Sequence, residues 1–154
     1  MGGKKVQRDL LVALVGRLRE IFGDECAVFY GRVLQGQREP CFYLRPQAVE
    51  RRVLTGGRVW RRVALELHYY PLLAGSLDEQ AEVGEKLLRG LVCIDGEQRA
   101  YRGQEMAYRV GSEYLCWSAA YEYHTTAEQE AADSGGSELM EVLVQQTAGD
   151  HNDK

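Results

Sequence analysis

The sequence predicts an α+β fold: a mainly antiparallel β-sheet with two helices packed on one face and a long protruding β-hairpin. Three observations carry this. Two segments repeat apolar residues at helical spacing, Val6 to Phe22 and Leu77 to Val92. Two others, Val59 to Tyr70 and Glu113 to Thr125, alternate with period two. The order α, β, β-hairpin, α, β-hairpin sets runs of strands between two helices, the pattern of an antiparallel sheet covered on one side. With 154 residues the chain suits one domain with a real core plus a tail.

In the first helix Leu10, Leu11, Leu14, Val15, Leu18, Ile21 and Phe22 line one face, and Arg8, Arg17, Arg19 and Glu20 the other. Asp9 suits the positive end of the helix dipole, and Gly23 is a natural stop. Cys26 to Tyr30 reads as a short strand and Gly31 to Pro40 as a loop. Cys41 to Val49 is extended, with Pro46 marking an edge strand or a bulge. Thr55-Gly56-Gly57-Arg58 is a turn. Beyond it Val59, Val63, Leu65, Leu67 and Tyr69 share one parity, broken by Arg61; the other parity, with Trp60, Arg62, Glu66, His68 and Tyr70, is expected to be wet. Pro71 ends the strand.

Ser76, with Glu79 three residues on, has the form of a capping box for the second helix. Asp95-Gly96 marks a turn, Glu105 to Val110 a strand, Gly111-Ser112 another turn. Leu115, Trp117, Ala119, Tyr121 and Tyr123 form the apolar side of the last strand. The expected core is Leu14, Leu18, Val63, Leu65, Leu67, Leu87, Leu91 and Trp117. The division expected is a domain over 1–126 and an acidic, disordered tail over 127–154, which contains Ser134-Gly135-Gly136-Ser137 and a short apolar patch from Leu139 to Val144.

Charge supports the same division. The net charge is −4, yet residues 127–154 hold seven acids and one base, which leaves 16 acids and 18 bases for residues 1–126. That balance does not argue for general nucleic-acid binding. Cys26, Cys41, Cys93 and Cys116 have neither CxxC nor zinc-type spacing and read as buried free thiols. The start, MGGKKVQRD, has no apolar signal region, and no apolar run reaches membrane-spanning length. A soluble protein made inside a cell is expected.

Few residues suggest chemistry. Glu66, His68 and Tyr70 lie on one strand face and read as a polar outer surface, without a nucleophile or second base. His124 and His151 have no partner at metal spacing; Asp95, Glu97 and Glu105 read as a solvated loop. Leu54 to Arg58 lacks phosphate-loop spacing. No enzyme, cofactor or metal is expected. The distinctive charge cluster is Arg45, Arg51, Arg52, Arg58, Arg61 and Arg62, six arginines in 18 residues around the hairpin tip. Arginine suits bidentate contact with carboxylate or phosphate. Three readings stay open: contact with DNA passing through a ring, contact with an acidic neighbouring subunit, or a solvated basic loop.

The helix ending Glu20-Ile21-Phe22, the strand Ala27 to Tyr30, Glu39-Pro40-Cys41-Phe42 and His68-Tyr69-Tyr70-Pro71, in this order, resemble the tail terminator-like proteins of phage and prophage tail modules. The second helix and the final aromatic strand pair extend the likeness across residues 7 to 125. The resemblance implies a structural protein with no catalytic residues. It implies a ring, usually hexameric, that caps the tail tube, ends its polymerisation and offers a face for head joining. The implied partners are copies of the chain, tail tube protein, a head-completion or connector protein and DNA in the channel. The implied location is the host cytoplasm during assembly, then the virion. Another head–tail connector or neck protein is the nearest alternative. A nucleic-acid-binding module using the arginine hairpin is the alternative from a different class.

Overall fold

The computed structural model describes residues 3–24, 27–30, 40–73 and 75–132, with the side chains of 3–7 excepted. Helix α1 spans Gly3–Phe22, followed by β1 Ala27–Tyr30, β2 Cys41–Val53, a 3-10 turn at Thr55–Gly57, and β3 Arg58–Tyr70. Helix α2 is Leu77–Gly90; β4 Cys93–Asp95, β5 Ala100–Arg109 and β6 Leu115–Thr126 follow, and α3 is Ala127–Ala132. Among the described residues no helix is long and apolar enough to cross a membrane.

The six strands form one sheet in the order β1-β2-β3-β6-β5-β4. Every pairing is antiparallel except β1 with β2, which is parallel. This is the expected α+β class. Helices α1 and α2 cover one face through the apolar stripes read from the sequence, and the whole expected core set is buried there together with Phe42, Tyr101, Leu115 and Tyr121. Burial of each such side chain contributes about 1.5–3 kcal/mol.

Local signals account for the element ends. Gly23 takes φ +89 and returns its N–H to the Arg19 carbonyl at 2.8 Å, closing α1. Gly56 and Gly57, at φ +79 and +78, turn the long hairpin. Pro46 lies at a register shift between Pro46 and Ala48, so of the two readings the bulge holds, while β2 as a whole lies between β1 and β3. The Ser76 hydroxyl accepts the Glu79 N–H at 3.2 Å, which caps α2. The Glu79 carboxylate accepts from Tyr69 Oη at 2.9 Å and from the Leu72 N–H at 2.8 Å. It thereby ties the β3–α2 turn to the helix.

Four features depart from expectation. β4 was not expected, and β5 starts five residues earlier than Glu105, because its first half is polar and carries only Tyr101 into the core. Glu105 takes the left-handed φ of +55 within a register shift of β5, which breaks the alternation. Cys41 is buried as expected, but Cys116 is half-buried and Cys93 exposed; Cys26 lies outside the described residues. Ala127–Ala132, expected to begin the tail, is helical. The remainder, including His151 and the Leu139–Val144 patch, lies outside the described residues.

Candidate interaction surface

The β2–β3 hairpin is long, and its two sides differ. On the inner side β6 runs beside β3 to the end, pairing Arg58 with Thr126. On the outer side β1 accompanies β2 only from Cys41 to Leu44. The outer side of residues 45–53 therefore has no strand partner among the described residues. Val49 and Val53 stand exposed on it, Val53 at 63%.

Strand parity divides the six arginines between the two faces. Arg51 and Arg61 are cross-strand partners on the helix-covered face. Both meet Glu130 of α3, Arg51 Nε at 2.8 Å and Arg61 at 3.3 Å. The Arg61 and Glu130 side chains are only 13% and 12% exposed, whereas Arg51 keeps 47%. The arginine that broke the apolar parity of β3 thus has its counter-charge in the segment expected to be tail. Sequence reasoning missed Glu130, and Arg61 itself was the signal.

Arg45, Arg52, Arg58 and Arg62 lie on the opposite, open face. Arg62 is the hub of a network spanning four strands: Glu50 at 3.3 Å, Glu105 at 2.5 Å and Glu122 at 3.6 Å. The unusual backbone of Glu105 carries its carboxylate to this guanidinium. Arg52 lies over the Trp60 ring at 4.7 Å, and Trp60 Nε1 donates to Glu122 at 3.2 Å. Arg45, Arg52 and Arg58 are exposed and have no carboxylate at ion-pair distance among the described residues. The cluster seen in sequence is therefore three arginines ion-paired within the chain and three on the open face without an ion pair among the described residues, of which Arg52 stacks on Trp60.

The other end of the open face corrects the reading of Glu66, His68 and Tyr70 as a wet surface. His68 is 5% exposed and Tyr70 half-buried. They belong to an aromatic row: Phe29 on Tyr43 at 5.3 Å, Tyr43 on Tyr70 at 5.7 Å, Tyr70 on Tyr114 at 5.1 Å, and Tyr114 on His68 at 4.6 Å. β1, β2 and the Tyr114 turn supply one ring each and β3 two, so alternation within β3 alone could not reveal it. Burial, with Tyr114 nearby, pushes the Tyr70 hydroxyl above its ordinary pKa.

On the helix side, Asp9 fastens α1 to the β4–β5 turn. Its carboxylate accepts from the Glu97 N–H at 2.7 Å, the Gln98 N–H at 3.1 Å and Tyr101 Oη at 2.9 Å. Burial and this carboxylate hold the Tyr101 hydroxyl well above its ordinary pKa. Asp9, Asp95 and Glu97 line a cavity of about 440 Å³ beside the turn. Asp9 is spent on backbone and tyrosine donors, a structural use of an acid.

Comparison with known proteins decides the family. A family model described as phage tail terminator protein matches residues 9–133. The chain belongs to the phage tail terminator family. The match runs through α3, whose Glu130 closes the ion pairs described above. A tail terminator of this family is a structural protein of the phage tail. No curated protein matches the sequence. One solved structure, without a descriptive name, is 14% identical, covers 78% of this chain and 94% of its own, and superposes with a TM-score of 0.47.

Proposed function

We propose that this terminator acts as a ring, hexameric as the sequence resemblance implies, that caps the tail tube, stops its polymerisation and forms the face for head joining. The family match over residues 9–133 carries the reading. Its role is structural rather than catalytic. It assembles in the host cytoplasm and stays in the virion tail. Its partners are further copies of itself, tail tube protein, the head-completion or connector protein and the DNA in the channel. The folded unit extends through α3.

The open face supports a contact role for Arg45, Arg52 and Arg58, which hold exposed charge without an internal carboxylate. Head-to-tail contacts close into rings when the rotation between copies permits. Native mass spectrometry of the protein alone and with tail tube protein tests the reading. A defined ring that binds tube ends is expected; a monomer that ignores the tube would refute it. Reversal at Arg52 and Arg58 then separates the contacts. Loss of the ring identifies a subunit contact, whereas an intact ring with impaired DNA retention identifies the channel. Arg51 is a poor choice for this purpose, because reversing it also sets two carboxylates together at Glu130.

A further inference from the structure

We propose that Glu66, His68 and Cys116 form a binding site for a divalent, borderline-soft cation of the Zn²⁺ type. Glu66 and His68 are two residues apart on one face of β3, and Cys116 is the cross-strand partner of His68 on β6. The ligand atoms of the three residues lie within 4.8 Å of one another, and His68 Nε2 is 2.9 Å from Glu66 Oε1. One sulfur, one nitrogen and one carboxylate oxygen match the preferences of Zn²⁺.

Bond lengths of about 2.0–2.3 Å place tetrahedral ligands roughly 3.3–3.6 Å apart. Reaching that spacing requires the His68–Glu66 pair to open from 2.9 Å, with the Glu66 and Cys116 side chains turning toward a common centre. His68 is already fixed, since the Tyr114 ring stacks on it at 4.6 Å and 19° between planes. The carboxylate and a thiolate together neutralise a divalent charge. Burial and the neighbouring Glu66 favour the protonated thiol, while Arg109 and Arg45 act the other way. Cys116 also borders a cavity of about 210 Å³ bounded by Arg109, Gly111, Glu113 and Tyr114. The cavity leaves room for a fourth ligand, water or Glu113, and for entry.

The competing account is a hydrogen-bonded trio in which thiol and imidazole share the Glu66 carboxylate. Titration of the full chain with Co²⁺, then competition with Zn²⁺, distinguishes the two. One Co²⁺ per chain with a thiolate-to-metal charge-transfer band is expected, lost in Cys116→Ser and kept in Cys93→Ser. Since changes merely adjacent to a metal ligand weaken binding 10–100-fold, Glu66→Gln should weaken Zn²⁺ by about tenfold or more. Cys116→Ser is nearly isosteric at a half-buried position, and circular dichroism checks its fold. Absence of the band in the wild-type chain, or its persistence in Cys116→Ser, would overturn the proposal.

Discussion

Replacing Glu130 by Ala should destabilise the whole fold. Glu130 is the anion shared by Arg51 and Arg61, and the Arg61 pair is nearly enclosed, at 13% and 12% side-chain exposure. Fully exposed pairs contribute about 0.2–1 kcal/mol, whereas removing one partner of a buried pair costs about 3–5 kcal/mol. The geometry lies between these limits, so a loss of about 2 kcal/mol is expected. That is a large part of a total stability of about 5–15 kcal/mol, and should lower Tm by about 4–8 °C. Urea unfolding followed by tryptophan fluorescence measures it. A double-mutant cycle adds the address: coupling of about 1–2 kcal/mol between Arg61 and Glu130, and under about 0.5 kcal/mol between the more exposed Arg51 and Glu130. A Glu130→Ala midpoint equal to wild type, with no coupling to Arg61, would refute the docking of α3 as part of the fold.

Three further outcomes are expected. Leu65→Ala, deep beneath α1 and α2, should cost about 2–5 kcal/mol in equilibrium unfolding. Gly84→Ala should cost about 1–3 kcal/mol, since its Cβ would sit 2.6–2.7 Å from the Tyr108 ring; a neutral result would show that the ring yields freely. Tyr101 and Tyr121 have raised folded pKa values, so the folded state holds their protons longer than the unfolded chain. Their contribution is complete below about pH 10 and is lost as pH rises beyond it. Alkaline unfolding, followed at the tyrosinate absorbance, should shift to higher pH in Tyr101→Phe once its neutral-pH stability loss is accounted for.

The helices, the hairpin and the core were legible because each rests on periodicity within one segment. Leu14 and Leu18 on α1, and Leu65 and Leu67 on β3, need no knowledge of their partners to be assigned inward. Features assembled from several segments were not legible. The aromatic row takes rings from β1, β2, β3 and the turn before β6, so the buried place of His68 had no signature within β3. The arginine cluster was a true feature of the chain, yet parity and the Pro46 bulge divide it between two faces. Arg61 did announce itself, as a charge on an apolar parity, but its partner Glu130 lay in a stretch whose composition looked solvated.

The position of β6 has a consequence for how the chain acquires this shape. It is the last strand described, yet it sits inside the sheet between β3 and β5. Until it arrives, β1-β2-β3 and β4-β5 are two ribbons with no backbone ladder between them, and the inner border of β3 is open along its length. During synthesis almost the whole domain must emerge before this seam can close. Folding is then dominated by distant pairings and should be slow and all-or-none, with exposed strand edges as its hazard. A copy interrupted before residue 115 would carry an unmade seam along β3, and such chains should aggregate rather than persist as partly folded monomers.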